Sequence, residues 1–195
     1  MSPNRAAGKL EEFNSLGLQT TNALMHGQRR KAKELDQGRV EMARRQGVAG
    51  VQLSNPAVID AQVGDCEAAR KAKSNPAPFL CWDEARVRLA QEAAAKNPPQ
   101  NPDNVGLLNQ RGSAALNAGK GAEAAAEFQK ILDHKSRNWG PLYSNAYLGL
   151  VRGEAMAGDT AKAKRAYQDF LALWKDADKD TPFLIEATKE LAALR

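Results

Sequence analysis

GKGAEAAAEFQKIL (119–132) and GDTAKAKRAYQDFL (158–171) decide the fold of this chain. Each stretch opens on a glycine, which can take the left-handed conformation that ends one helix and lets the chain turn back at once. An alanine follows five residues on, Ala124 or Ala163, small enough for the second helix to press closely against the first. A ring comes four residues later, Phe128 or Tyr167, to fill the groove between helix pairs. In the second copy Ala163, Ala166, Tyr167, Phe170, Leu171 and Trp174 form one stripe at helical spacing. Both stretches therefore predict antiparallel helix pairs that stack side by side.

Two weaker copies lie upstream, GDCEAARK (64–71) with the pair Gly64/Ala69 and GQRRKAKEL (27–35) with Gly27/Ala32. Gly27, Gly64, Gly119 and Gly158 stand 37, 55 and 39 residues apart. A tetratricopeptide repeat has a period of about 34 residues, so each interval exceeds it. Between Gly119 and Gly158 the excess falls at 136–142, around Trp139-Gly140-Pro141. The longest interval holds one helix, about 80–96, and then Asn97-Pro98-Pro99-Gln100-Asn101-Pro102, the one plausible internal boundary. Residues 1–97 then read as weaker, partly degenerate helical repeats, and 98–195 as two well-formed repeats with a closing helix.

The pattern predicts about ten helices, at 9–25, 29–46, 49–62, 66–73, 80–96, 104–118, 121–134, 142–157, 160–176 and 182–194. Thr181-Pro182 offers the last of them a capping hydroxyl and a proline at the first helical position. Leu184, Ala187, Thr188, Leu191 and Ala192 would line one face and close the open end of the stack. With Val, Ile and aromatic residues scarce and no strand pattern, the expected fold is all-α, a tetratricopeptide-like α-solenoid.

Charge and composition narrow the function. The net charge is +5, of which residues 1–46 supply +4, from nine Lys/Arg against five Asp/Glu. The run Arg29, Arg30, Lys31, Lys33, Arg39, Arg44, Arg45 reads as a solvated helix face. Without a denser basic stripe, interleaved aromatics or a reader motif, it argues against nucleic-acid binding. Cys66 and Cys81 make neither a disulfide framework nor a metal site by count, and Cys66 reads as an inert small side chain. No signal peptide and no membrane span is visible, so a soluble, cytoplasmic chain is expected.

The stretches GAEAAAEFQKILDH (121–134), YLGLVRGEAMAGDTAKAKRAYQDFLALWKDAD (147–178) and TPFLIEATKEL (181–191) carry a resemblance. They look like the C-terminal tetratricopeptide region found behind bacterial eukaryotic-like serine/threonine kinases and some winged-helix regulators. RKAKELDQGRVEMARRQG (30–47) and GDCEAARK resemble earlier repeats of that region more loosely. The resemblance covers a little under half of the chain. In that family a kinase domain precedes the repeats, usually across a membrane span. Here the Gly-rich phosphate loop, the catalytic loop and the metal-binding D-F-G are missing, and Asp169-Phe170 is followed by Leu171 in mid-helix. Kinase activity is therefore not carried over, and a shortened relative is expected. Descent from a membrane-anchored kinase would make the chain extracytoplasmic instead.

Candidate chemistry is sparse. Asp176-x-Asp178-x-Asp180 begins like a calcium loop, but Thr181 stands where glycine is needed and Ala187 where the bidentate acid belongs. It reads as a polar turn. His26 and His134 lack a second histidine at ligand spacing. No catalytic residue, metal site or cofactor is expected. What remains is a concave surface. Carried over from the repeat anchors, its candidate peptide-binding groove comprises Asn109, Ser113, Leu116 and Asn117 on one helix and Asn145, Leu148, Arg152 and Met156 on the next. The Lys/Asn carboxylate clamp of chaperone-tail repeats is absent there. A peptide would be held by amides, by Arg152 and by apolar contact. The expected function is a non-catalytic scaffold for a protein or peptide partner, or for another copy of the chain. The alternative is the sensory or regulatory segment of a kinase or transcription regulator whose effector domain lies elsewhere.

Overall fold

The computed structural model describes residues 3–46, 56–71, 81, 84–96, 104–133 and 140–194, and among these there is no strand. The helices are α1 (Pro3–Met25), α2 (Arg29–Gln46), α3 (Pro56–Gln62), α4 (Cys66–Lys71), α5 (Glu84–Lys96), α6 (Val105–Asn117), α7 (Gly121–Asp133), α8 (Pro141–Met156), α9 (Thr160–Leu173) and α10 (Pro182–Ala193). Asn97–Pro102, His134 and Trp139 lie outside the described residues.

The four repeat glycines all have positive φ: 67° at Gly27, 100° at Gly64, 70° at Gly119 and 84° at Gly158. Each closes its helix with the same pair of hydrogen bonds. Gly27 N donates to Leu24 O and Gln28 N to Ala23 O, and the pattern recurs at Gly64/Asp65, Gly119/Lys120 and Gly158/Asp159. This is a Schellman closure, which satisfies the last carbonyls of a helix while aiming the chain backward. Ala32, Ala124 and Ala163 are fully buried at the crossings that follow.

From Val105 to Trp174 the pair α6–α7 packs against the pair α8–α9, chiefly through α7 and α8. Phe128, fully buried, is seated between them because the facing positions carry no side chain. A Cβ at Gly149 of α8 would lie 2.5 Å from the ring, and one at Gly112 of α6 would lie 2.7 Å from it. A second close approach joins the start of α7 to the end of α8: a Cβ at Gly121 would lie 2.5 Å from the Ala157 nitrogen. Backbone contact at such points leaves no room for even one methyl group. The predicted α9 stripe is buried, with Leu171 partly so, and Trp174 is tilted against Phe170 at 4.7 Å between centroids.

The N-terminal pair does not continue this arrangement. α1 packs against α8, and its last turn meets the end of α9: Trp174 Nε1 donates to Met25 O at 2.9 Å. Thr21 comes near Gly140, just before α8 begins. The Gly27 turn therefore sits at the end of the molecule where α8 starts and α9 stops, opposite the Gly119 and Gly158 turns. The pair α1–α2 is inverted relative to those two pairs. The Gly64 turn gathers at the same connector, where Phe183 N donates to Val63 O at 3.2 Å and the Phe183 ring fills the space a Gly64 side chain would need.

Buried residues of 1–97 and of 98–195 belong to one hydrophobic cluster, running from Ala23 through Leu108, Phe128 and Tyr167 to Ala187. One expectation changes. The closing helix α10 does not simply cover an open end. Its buried residues are Phe183 and Ala187, while Thr188 and Ala192 face outward. Pro182 does open α10, but the Thr181 hydroxyl makes no cap and donates to Gly27 O at 3.2 Å instead.

The cysteines also differ from expectation. Cys66 at the start of α4 and Cys81 before α5 form a disulfide, with Cα atoms 5.2 Å apart. Neither is a free thiol. Count and spacing gave no sign of it because only folding brings the two together.

Candidate functional site

The basic run and the acidic turn, read separately as surface features, are each other's partners. Arg29 Nη2 meets Asp180 Oδ2 at 2.8 Å, and Arg30 Nη2 meets Asp180 Oδ1 at 3.2 Å. The Asp178 carboxylate accepts from the Arg30 backbone N–H at 2.7 Å, and Lys33 Nζ lies 2.6 Å from Asp60 Oδ1. α2 has no acid in its own first turn, so Asp178 supplies the negative charge that a helix N-terminus favours. The start of the basic run is thus a clamp holding α2 to the α9–α10 connector and to α3, rather than a wholly solvated face. Asp178 and Asp180 are turned toward cations of the same chain, and among the described residues no group of three His, Cys, Asp or Glu could hold a metal ion. His26 Nδ1 is hydrogen-bonded to Asn22 O within its own helix.

The eight candidate groove residues divide by depth. Leu148 is fully buried, and Asn109, Asn145 and Ser113 are 1%, 1% and 3% exposed. Asn109 spends its amide N–H on Val105 O, one turn back in α6. These are not exposed recognition amides. α8 is packed against α6, α7, α9 and α1 and buries nine of its sixteen residues, so a face that an open groove would show to solvent is covered. The sequence could not show this, because α1, far away along the chain, is one of the helices that lie against α8.

The other four residues reach an open cleft. Leu116 and Asn117 at the end of α6, and Arg152 and Met156 on the last turns of α8, line a space of about 470 Å³ together with the edge of Ser113. Tyr167 of α9 floors it, and Glu190, Ala193 and Leu194 of the α10 end close it. Met156 is 47% exposed.

In the cleft Arg152 is already paired through its Nε and Nη2. Its Nε faces both oxygens of Glu190 at 3.1 and 3.3 Å, and its Nη2 reaches Glu186 Oε2 at 2.7 Å. Tyr167 donates its hydroxyl to Glu190 Oε2 at 2.7 Å. Burial works against the Arg152 charge, but Glu190 and Glu186 outweigh it and hold the guanidinium pKa above its ordinary value. Burial first, and then the bond to Glu190, push the Tyr167 phenol far up, so it remains a donor at any ordinary pH. Sequence reasoning placed Arg152 on this face but missed Glu186 and Glu190, which approach only because α10 folds back across α8.

Compared with family models, with curated proteins and with solved structures, the chain matches none.

Proposed function

We propose that this chain is a non-catalytic protein-interaction module built from tetratricopeptide-like helix pairs, and that it takes a peptide segment of its partner in the cleft between α6, α8 and α10. The observation that carries the reading is the cleft itself. Its volume falls among those of binding clefts, about 300–1,000 Å³, and its walls combine apolar side chains with a few fixed polar groups. Its one hydroxyl–carboxylate pair, Tyr167 with Glu190, has the phenol pKa pushed far up and the acid held by Arg152, which supports a binding role over a catalytic one.

A replacement of Asn117 and Met156 together by lysine tests the proposal. Both residues are exposed, so the fold should survive while the cleft is blocked. Partner recovery in a pull-down should be lost with this variant and kept with Arg44→Glu/Arg45→Glu on the exposed end of α2. The opposite pattern would move binding to the basic helix. Reversing Arg29–Lys33 would be a poor control, because those side chains hold the fold together.

One observation favours the second reading, a sensory or regulatory segment of a larger kinase-like or regulator protein. Disulfides persist in oxidising compartments and are rare in the cytosol. The Cys66–Cys81 bond therefore supports an extracytoplasmic setting over a cytoplasmic one. Among the described residues no helix is long and apolar enough to cross a membrane. Alkylation of the protein taken from its source cells, with and without prior reduction, would test the compartment: thiols that react before reduction would favour the cytosol.

A further inference from the structure

We propose that the partner segment in the α6–α8–α10 cleft carries a lysine or arginine side chain, so that the site reads a cation and not the carboxylate that Arg152 alone would suggest. This rests on the proposed binding role of the cleft and adds the charge of what it binds. Three observations lead to it.

Arg152 already pairs with two acids of its own chain. Its Nε and Nη2 are held by Glu190 and Glu186, and on those two nitrogens an incoming acid would have to displace one of them. The Arg152 cluster sets one cation against two carboxylates, of which Glu190 lines the cleft and Glu186 stands beside it, on a chain whose net charge is +5. Glu186 is 49% exposed at the side chain and Glu190 34%, so both can still be approached by a second cation from solvent.

The walls suit the stem of such a side chain. Leu116, Ala155, Met156 and Leu194 give an apolar track leading to Glu190. Long basic side chains lie along apolar surface with the charged end at a polar group, and an exposed methionine adapts its shape to what it meets. Beside the track, the Ser113 hydroxyl is 3% exposed and makes no hydrogen bond within the chain. It can accept from an ammonium or guanidinium, or donate to a peptide carbonyl.

Three short N-acetylated, C-amidated peptides test the inference, sharing one apolar frame and carrying Lys, Gln or Glu at the same positions. Fluorescence anisotropy against the full chain at low ionic strength gives the affinities, and backbone amide shifts locate the site. The Lys peptide should bind about tenfold tighter than the Glu peptide, against the sign of the whole protein's field. Its shifts should centre on Ser113, Leu116, Ala155 and Met156. Glu186→Gln should weaken the Lys peptide about threefold and leave the Gln peptide unchanged, while Arg152 keeps Glu190. Spermidine at equal charge should not displace it, and displacement would overturn the peptide in favour of a small polycation. A tighter Glu peptide with the same shifts would overturn the charge assignment and leave the cleft as the binding site. No shifts at those residues with any peptide would overturn both.

Discussion

The pair α1–α2 and the pair α8–α9 are built on the same turn and held by different forces. Each turns at a glycine with positive φ, each closes with the same two hydrogen bonds, and each places a fully buried alanine five residues on. Yet α8–α9 packs closely against α6–α7, through glycine faces that admit the Phe128 ring and through backbone contact at Gly121. The pair α1–α2 is inverted. It is joined to the rest by Trp174, by Thr181 and by the Arg29, Arg30 and Asp178, Asp180 clamp. A local repeat fixes how a helix pair turns, and says little about how pairs stack.

The largest expected effect breaks the α6–α9 half. Phe128→Ala should destabilise the protein by about 3–5 kcal/mol in urea unfolding, since it empties a closely packed interior site. Gly149→Ala should cost much less in that background than alone, because the ring it would strike is gone. Additive costs would show that Phe128 does not sit on Gly149.

The next concerns the covalent tie, which among the described residues belongs to the N-terminal half. Cys66→Ser with Cys81→Ser should remove about 3 kcal/mol, the value for a closed loop of this size, sequence separation 15. Faster amide exchange in α3 and α4, with α6–α9 still protected, is the expected signature. Equal loss across both halves would mean that they unfold as one unit.

A smaller effect compares the turns themselves. Gly119→Ala meets open space and should cost about 1–2 kcal/mol, from the left-handed backbone alone. Gly27→Ala has the same backbone but would place a methyl 2.7 Å from Trp174 and Ala177, adding about 1–3 kcal/mol. Equal melting temperatures for the two variants would separate the Gly27 turn from the α9–α10 connector.

The smallest is electrostatic. Desolvation raises the Asp180 pKa, but its own backbone N–H and the charges of Arg29 and Arg30 outweigh it and hold it below the ordinary 3.8. A carboxyl with a lowered folded-state pKa stabilises the fold above its unfolded value, and that contribution is lost as pH falls through the folded value. Titration from pH ~6 to ~3 should therefore loosen the start of α2 before α8, read by amide exchange, and added salt should act in the same direction. An unchanged α2 at low pH would assign its docking to Trp174 and Thr181 rather than to the Asp180 ion pairs.

Much of the helix map was legible, because it rests on short-range rules. The glycine–alanine spacing located all four turns, and the stripe Ala163 to Trp174 marked the face of α9 that is buried. The candidate site was half legible. Leu116, Asn117, Arg152 and Met156 do line an open cleft and the edge of Ser113 reaches it, while Asn109, Asn145 and Leu148 lie within the packed interior. Spacing places all eight on the same helix faces, but whether a face meets water depends on what packs over it.

The sequence by itself determined where helices end and turn, since a left-handed glycine and its two hydrogen bonds need only the six residues around them. The tertiary structure alone decided that α1–α2 lies inverted with α1 against α8, that Arg29 and Arg30 meet Asp178 and Asp180, that Cys66 bonds Cys81, and that Glu186 and Glu190 pair with Arg152. These pairs stand far apart along the chain, up to 151 residues for Arg29 and Asp180. Each is an interaction between side chains whose own neighbourhoods are ordinary. Only the competition among possible packings of the apolar faces selects which of them meet.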